Sequence, residues 1–271
     1  MSSHDGAYKL LFSHSRMVRD LLHGFVQEDW VALLDFDTLE KVCGSYVSDD
    51  LREREDDIVW RLRMRSASAA EPGEWLYVYL LLEFQSSVDA HMAVRLVTYI
   101  GLLYQDLIKS GQVTRAGQQA ARLPAVFPLV LYNGERAWSA ERELEALIEP
   151  VPASLAAYRP RLRYFVLDEG RLPEATVQQP DNAVAQLVQI ERLAEPEQLG
   201  RLQEVTARLA RQLKAPHNTA LRRAFAVWIK RVVLRHLPEG EEPAQVQDLT
   251  EIPEMIGERM ERWKQQLLQQ G

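Results

Sequence analysis

Apolar residues recur along the chain with two different spacings, and the spacing changes with position. A helical spacing over residues 5–26 predicts an amphipathic helix with Asp5 as its N-cap. Alternating apolar and polar residues over 57–64 and a continuous apolar run over 75–82 predict two strands joined as a hairpin. Helical spacing returns over 89–109, so this part of the chain combines helices with a sheet.

Two further strands and a run of helices complete the pattern. Residues 125–132 and 161–168 are short apolar segments typical of strands, and Pro128 in the first favours an edge or a bulge. The helical spacing in the last third of the chain predicts helices over residues 182–194, 197–214, 217–237 and 253–270. The sequence therefore predicts an α/β domain over residues 1–175 and a helical C-terminal module over residues 176–271.

Composition excludes several classes of protein. Of the 271 residues, 46% are apolar and 26% are charged, so the chain forms a core and is not disordered throughout. No apolar run approaches the ~20 residues that span a bilayer, and the N-terminus lacks a basic segment before an apolar stretch. One cysteine, Cys43, excludes an internal disulfide framework and a cysteine-based zinc site. We therefore expect a cytoplasmic protein that does not bind membranes.

Charge is distributed unevenly along the chain. The net charge of −7 argues against a surface that is basic throughout, as many nucleic-acid-binding domains have. Residues 201–236, however, hold nine Lys/Arg and one acid, whereas residues 237–261 hold eight acids and one Arg. The basic block either follows phosphates or pairs with the acidic block that comes after it, and the average charge does not decide between them.

Three polar residues at the ends of two predicted strands carry the candidate chemistry. Asp57 opens the first strand of the hairpin, while Glu83 and Gln85 follow the second and share one face of it. A hairpin brings Asp57 to the level of Glu83, so two carboxylates converge at one sheet edge. Such hard oxygen ligands suit Mg²⁺ or Mn²⁺, which can activate water against a phosphodiester. The alternative is a pair of solvated strand ends, although Glu83 follows a charge-free run where an unpaired carboxylate is costly.

Five motifs carry a resemblance to a known family. They are HDGAYKLLF at 4–12, DIVW at 57–60, LEFQS at 82–86, RLVTY at 95–99 and PLVLYNG at 128–134. In this order and spacing the chain resembles the Rpn family over residues 4–170. These are the recombination-promoting nucleases, also labelled transposase-like or YhgA-like, within the PD-(D/E)XK nuclease superfamily.

The resemblance implies a fold, an activity and a set of catalytic residues. The fold is a PD-(D/E)XK nuclease-like core, a mixed sheet flanked by helices, followed by the helical module. The activity is Mg²⁺-dependent endonucleolytic cleavage of DNA by a cytoplasmic bacterial protein, linked to recombination or to defence against foreign DNA. By position, Asp57 and Glu83 match the metal-binding carboxylates. Gln85 stands where the superfamily usually has a lysine, whose positive charge a neutral amide cannot supply.

Four residues near these motifs have weaker claims as supporting groups. Arg95 and Tyr99 share a helix face and either contact a phosphate or form a core tyrosine with an arginine at its rim. Asp5 is a third acidic contributor or, as we favour, a helix cap. Lys9 lies one turn further on and serves equally well as an i,i+4 partner of Asp5.

The C-terminal helices combine an apolar stripe with a basic face. The stripe consists of Leu199, Leu202, Val205, Leu209 and Leu213. The candidate DNA contacts on the next helix are Arg222, Arg223, Lys230 and Arg231. We expect the stripe to support packing or a homodimer and the basic face to aid DNA capture. Pairing with the acidic segment, or simple solvation, remains the alternative for the basic face.

Two other functions compete with a DNA endonuclease. The chain is alternatively a catalytically weak or inactive nuclease-fold protein that binds DNA or assembles with other proteins. A structural protein that oligomerises through the C-terminal helices is a third class. The intact Asp57, Glu83 and Gln85 set favours the nuclease, and cleavage of plasmid with Mg²⁺ or with EDTA separates the three.

Overall fold

The chain folds into two compact units. The computed structural model describes residues 3–42, 57–65, 74–83, 88–113, 122–193, 198–233 and 246–270. One unit, here called the sheet unit, consists of Glu28–Arg171. The other, here called the helical unit, combines Met1–Gln27 with Leu172–Gly271. The sequence placed the boundary at 175/176, close to this one, but assigned residues 1–27 to the α/β part. The difference arises because the first two helices pack on helices of the C-terminal region.

In the described part of the chain, the sheet unit contains a mixed five-stranded sheet of order β1-β2-β3-β4-β5. The strands are β1 Leu34–Lys41, β2 Asp57–Met64, β3 Trp75–Glu83, β4 Ala125–Tyr132 and β5 Phe165–Asp168. The pairs β1/β2 and β2/β3 are antiparallel, whereas β3/β4 and β4/β5 are parallel. This is the expected α/β nuclease-like architecture with a helical C-terminal region.

The described residues form seven helices of at least ten residues. They are α1 Ser3–Phe12, α2 Ser15–Phe25, α3 Met92–Lys109, α4 Ala183–Arg192, α5 Leu199–Gln212, α6 Thr219–Trp228 and α7 Ile252–Gln270. Shorter helical turns are Asp29–Leu33, Leu144–Leu147, Ala153–Ala156, Glu169–Arg171, Glu174–Val177, Pro216–Asn218 and Leu249–Glu251, and a π-helical turn, Ile229–Val233, continues α6. None of the helices in these ranges has the length and apolar character needed to cross a bilayer.

Helix α3 connects the parallel strands β3 and β4 and covers one face of the sheet. Its buried residues Leu96, Tyr99 and Leu103 join Tyr79 and Leu81 of β3 in one apolar cluster. Parallel neighbours need such a crossover, because a tight turn cannot return the chain to the same end of the sheet. On the opposite face, alternate residues of the same strands are also buried: Ile58, Trp60, Leu62, Leu76, Val78, Leu80, Leu129, Leu131 and Leu167.

The strand predictions hold for β2, β3 and β4, with differences elsewhere. The single helix predicted over 5–26 is two helices, because the chain turns at Ser13 and His14; the His14 backbone N–H donates to the Leu11 carbonyl at 3.0 Å, a tighter turn than that of an α-helix. Strand β1 was not predicted. The strand predicted over 161–168 begins only at Phe165. The sequence also favours a short strand near residues 44–48, and these residues lie outside the described part of the chain.

Pro128 shows how an internal strand accommodates a proline. It pairs with Tyr79 of β3, but β5 pairs with β4 only from Leu129 onward. Among the residues that the structure describes, Pro128 therefore has a strand neighbour on one side only, which is the local edge that proline favours.

The helical unit is held together by buried aromatic and hydrogen-bonded contacts. Tyr8 of α1 is fully buried, packs edge-on against Trp228 of α6 at 6.0 Å, and donates to Glu191 of α4 at 2.6 Å. Asp20 of α2 accepts from the Ala183 backbone N–H at 2.8 Å at the start of α4. These contacts tie residues near the N-terminus to the C-terminal helices. The predicted stripe of α5 is also buried, and α5 packs against α7.

We predict that Gly134→Ala destabilises the sheet unit by about 1–3 kcal/mol, as overpacking typically does. A Cβ at Gly134 would overlap the Tyr132 ring, which is fully buried and packs on Trp138 at a centroid distance of 5.0 Å. Urea denaturation measures the change. Gly101→Ala is the matched control, because Gly101 lies in α3 with open space around it and should gain up to about 1 kcal/mol of helix stability. A neutral effect at Gly134 would contradict the close packing described here.

Candidate functional site

Strand register places the two candidate carboxylates on one face of the sheet. Asp57 pairs with Leu81 in the antiparallel β2/β3 ladder. Glu83 lies two residues beyond Leu81 on β3. Because paired residues share a face and residues i and i+2 of a strand share a face, Asp57 and Glu83 are diagonal neighbours on that face. Gln85, the third member of the predicted set, lies outside the described residues, as do the side chains of Asp57 and Glu83.

The same register aligns a row of polar residues across three strands. Glu83 pairs with Tyr132 of β4, and Tyr132 pairs with Asp168 of β5. All three positions are on the face covered by α3, since Leu81, Val130 and Tyr132 belong to the cluster packed on that helix. Sequence reasoning did not single out Tyr132, because only the register of two parallel ladders shows that it stands next to Glu83.

Helix α3 runs antiparallel to β3, so its beginning lies at the end of the sheet that carries Glu83. Two contacts fix this direction: the Tyr79 and Tyr99 rings are 5.8 Å apart, while Tyr77 and Leu107 line one common cavity. Arg95 is one helical turn before Tyr99 and is thus one turn closer to the Glu83 end of the sheet.

Arg95 and Tyr99 form a linked pair on α3. The Arg95 Nε donates to the Tyr99 hydroxyl at 2.8 Å, and Tyr99 is only 3% exposed. Tyr99 is therefore a core residue whose hydroxyl holds a half-buried guanidinium at the edge of the core. This confirms the packing interpretation of the pair, and a phosphate contact by Arg95 is compatible with it.

Asp168 anchors the segment that follows β4. One of its carboxylate oxygens accepts from the Trp138 backbone N–H at 3.0 Å, and Arg171 lies 3.7 Å from the other. Arg171 also donates to the Gly134 carbonyl at 3.1 Å. Asp168 thus fixes the loop beside Tyr132, which accounts for its presence without a catalytic role.

Asp5 and Lys9 belong to α1 in the other unit. Asp5 lies two residues inside α1, which begins at Ser3, so it is not the residue that precedes the helix and the N-cap assignment is wrong. Lys9 lies in the last turn of α1, and its carbonyl accepts from the Ser13 backbone N–H at 3.0 Å.

A metal site is not assembled by other residues that the structure describes. Among these residues no group of three His, Cys, Asp or Glu side chains is placed to hold an ion. The side chains of Asp57, Glu83 and Gln85 lie outside this described set. The remaining candidate metal site is therefore the one predicted from the sequence, where Asp57 begins β2 and Glu83 ends β3.

Two of the four basic residues predicted to contact DNA form hydrogen bonds with this chain's own acidic segment. Arg222 donates through Nε to both carboxylate oxygens of Asp248, at 3.0 and 3.1 Å, and Lys230 donates to the Val246 carbonyl at 2.7 Å. Arg223 and Arg231 are exposed. Pairing within the chain, the alternative left open by the sequence, thus accounts for half of this set.

The Arg222–Asp248 pair also shifts the pKa of Asp248. Partial burial raises the pKa of Asp248, but hydrogen bonds from Thr250 and Arg222 outweigh burial and lower that pKa below its ordinary value. The same carboxylate caps the turn Leu249–Glu251, which leads into α7. The charge of Asp248 therefore stabilises the helical unit.

A mixed sheet with a crossover helix, and two carboxylate positions at one end of adjacent strands, define a nuclease-like α/β fold. A family model described as "Putative transposase, YhgA-like" matches residues 2–221, and the chain belongs to this family. No solved structure matches the chain with significance.

Curated relatives of the chain carry nuclease names. "Recombination-promoting nuclease RpnD" of Escherichia coli O157:H7 is 30% identical over 139 residues, which are 50% of this chain and 48% of the relative. "Recombination-promoting nuclease RpnA" of Escherichia coli (strain K12) is 31% identical over 48% of this chain and 40% of the relative. "Inactive recombination-promoting nuclease-like protein RpnE" of the same strain is 28% identical over 49% and 40%. The chain thus matches about half or less of the length of these relatives.

We predict that Asp248→Asn destabilises the helical unit by about 1–2 kcal/mol at pH 7, because it removes one charged hydrogen-bond acceptor but keeps a capping oxygen. A folded-state pKa below the unfolded one contributes stability that is present above the ordinary Asp range and is lost as pH falls through it. The deficit of the variant should therefore shrink below about pH 4. Urea denaturation across pH measures this.

Arg223→Gln is the control for Asp248→Asn, since Arg223 lies on the same helix as Arg222 but is exposed. It should change stability by no more than about 0.5 kcal/mol at any pH. A deficit of Asp248→Asn that is constant from pH 3 to 7 would contradict the lowered pKa.

Proposed function

We propose that the chain is a metal-dependent DNA endonuclease that hydrolyses phosphodiester bonds, with Mg²⁺ or Mn²⁺ as its ion. The observation that carries the proposal is the register that puts Asp57 and Glu83 on one face of adjacent strands. Membership in a family whose relatives are named recombination-promoting nucleases supports it. A role in recombination or in defence against foreign DNA, in a bacterial cytoplasm, is part of the same proposal.

The donor chemistry of the proposed site fits a hard divalent cation. Diagonal neighbours on adjacent strands have Cβ atoms no more than about 7–8 Å apart, a separation that two carboxylate arms can close around one ion. Asp57 and Glu83 would hold the ion, with phosphate and water oxygens completing its coordination. The bound ion would neutralise phosphate charge and lower the pKa of a coordinated water.

Protein groups would orient the substrate around these carboxylates. Gln85 would position the attacking water or a phosphate oxygen through its amide, which carries no charge. Arg95 lies at the Glu83 end of α3, where its guanidinium is held by the Tyr99 hydroxyl. A guanidinium forks onto two phosphate oxygens, so we assign Arg95 the positive charge that a lysine at position 85 would supply.

DNA capture would use the outer faces of the C-terminal helices. Arg223 and Arg231 are exposed, whereas Arg222 and Lys230 bind Asp248 and Val246. Because the α5 stripe is buried within the chain, a homodimer through this region would use other surfaces of the helices.

A catalytically weak or inactive nuclease-fold protein is the second candidate. One relative of comparable similarity, RpnE, is named as inactive. In that case the sheet would serve as a DNA-binding or protein-assembly module, and purified protein would bind plasmid without nicking it under any metal condition.

We predict that Asp57→Asn and Glu83→Gln each reduce nicking of supercoiled plasmid by about a hundredfold or more, because each removes one ligand charge from the ion. Nicking should require Mg²⁺ or Mn²⁺, stop with EDTA, and be poorly supported by Ca²⁺, whose coordination is looser. Glu135→Gln, an exposed carboxylate of the same unit, is the control and should retain full activity. Full activity in either folded site variant, or cleavage that persists in EDTA, would reject the site.

We predict that the double variant Arg223→Gln/Arg231→Gln binds DNA more weakly than the parent chain, and that the loss of affinity is the same for unrelated DNA sequences. Each phosphate contact contributes about −0.9 to the slope of log K against log salt, so the slope should flatten by about 1.8. Fluorescence anisotropy over a salt series measures it. Arg161→Gln/Arg163→Gln is the control, since both of these arginines have side chains more than three-quarters exposed and lie in the sheet unit. An unchanged slope in the first variant would remove this face from the DNA-binding surface.

A further inference from the structure

A cavity lies at the opposite end of β3 from Glu83. It has a volume of about 300 Å³, and Arg61, Trp75, Tyr77, Leu107, Gln112 and Arg122 are among the residues that line it. Trp75 begins β3 and Glu83 ends it, so the eight steps between them span about 26 Å. The cavity is therefore distinct from the carboxylate site, although both lie on the sheet face that α3 covers.

Two guanidinium groups pack on the indole of Trp75. The Arg61 and Arg63 guanidinium carbons lie 4.5 and 4.1 Å from the ring centroid. Stacking on an aromatic ring fixes the plane of a guanidinium and leaves its N–H edges available to an anion.

Arg61 is held in place by groups from three different elements. It forms an ion pair with Glu40 of β1, donates to Gln112 at 2.9 Å, and lies 3.4 Å from the Tyr77 hydroxyl. Burial lowers the pKa of Arg61, but its bonds to Tyr77 and Glu40 outweigh burial and raise that pKa. Arg61 is therefore a fixed and permanent positive charge on the cavity wall.

Arg122 adds an exposed guanidinium to the same wall. Among the described residues it makes no ion pair or hydrogen bond, so its donors are available to a ligand. Glu74 is the acidic residue in the lining, and Glu40 is already engaged by Arg61. The two arginines of the wall are thus matched in number by Glu40 and Glu74, but the exposed Arg122 guanidinium makes no ion pair among the described residues and is the positive group open to a ligand.

The rest of the lining is apolar. Leu107, Val113, Leu123 and Pro124 complete the wall, and Leu123 is 45% exposed, which is high for a leucine. The Tyr104 hydroxyl donates to the Pro124 carbonyl at 3.0 Å and fixes that side of the cavity. A ligand suited to this site has an anionic end for the arginines and a flat apolar part for these side chains.

We propose that this cavity binds a nucleotide phosphate, with the phosphate on Arg61 and Arg122 and the base against the Leu107 and Leu123 side. A volume near 300 Å³ is at the small end of ligand sites and accommodates a mononucleotide. The same chemistry is offered by a free nucleotide and by the 5′-phosphorylated end of a DNA strand. The site needs no divalent ion, because its positive charge comes from arginine.

Calorimetric titration in EDTA tests the proposal on the full chain. The ligands are a deoxynucleoside 5′-monophosphate, inorganic phosphate, and a short oligonucleotide with either a 5′-phosphate or a 5′-hydroxyl. We expect saturable binding of the mononucleotide that is tighter than that of inorganic phosphate. Tighter binding of the 5′-phosphorylated oligonucleotide than of the 5′-hydroxyl oligonucleotide would identify a strand end as the ligand, whereas equal binding of the two oligonucleotides beside saturable mononucleotide binding would identify a free nucleotide.

Variants assign the binding to this cavity. Arg122→Gln should weaken nucleotide binding about tenfold without changing Tm, since the loss is one charge-assisted contact. Arg136→Gln, an exposed arginine of the same unit, should leave binding unchanged. The double variant Asp57→Asn/Glu83→Gln should also bind normally, which separates this site from the carboxylate site.

Three results would overturn the proposal. They are the absence of saturable nucleotide binding to the parent chain, equal affinity for nucleotide and inorganic phosphate, and equal effects of Arg122→Gln and Arg136→Gln. The last result would mean that general electrostatic attraction, and not this cavity, holds the ligand.

Discussion

The pairing of β3 with both of its neighbours is the constraint on which the sheet unit depends. Strand β3 pairs with β2 over seven residues and with β4 over eight. Its two faces carry different side chains: Tyr77, Tyr79 and Leu81 face α3, whereas Leu76, Val78 and Leu80 face the other way. A slip of one residue would exchange tyrosines for aliphatic residues on both faces, so the core fixes the register. The position of Glu83 beside Asp57 follows from packing several residues away.

Much of this sheet could be predicted from the chain, because β2 alternates apolar and polar residues while β3 and β4 are continuous apolar runs. Strand β1, with the sequence LDFDTLEK, could not, since four of its eight residues are charged and it is stabilised by pairing with β2. The break between α1 and α2 was also hidden, because apolar residues keep helical spacing across Ser13 and His14.

Some candidate site residues can likewise be predicted from the sequence, whereas others are brought together only by the fold. Asp57 and Glu83 could be found from sequence, because polar residues at strand ends are visible in a local pattern. Tyr132 and Asp168 join Glu83 in one row only through the register of two parallel ladders. The arginine cavity collects Arg61, Trp75 and Gln112 from separate parts of the chain, so no local spacing indicates it. Likewise, the basic helix suggested DNA contact, but only the structure shows that Arg222 is paired with Asp248.

The helical unit is built from two separate segments of the chain, and this affects when it can fold during synthesis. Its two parts, Met1–Gln27 and Leu172–Gly271, come from opposite ends of the chain. A ribosome adds about 5–20 residues per second, so α1 and α2 wait for many seconds before α4 and α6 exist. During that interval the sheet unit can fold, while Tyr8 lacks its partners Trp228 and Glu191. A shortened chain that stops at Arg171 would keep α1 and α2 without the surfaces that bury them, so a stable fragment of the sheet unit should begin at Glu28.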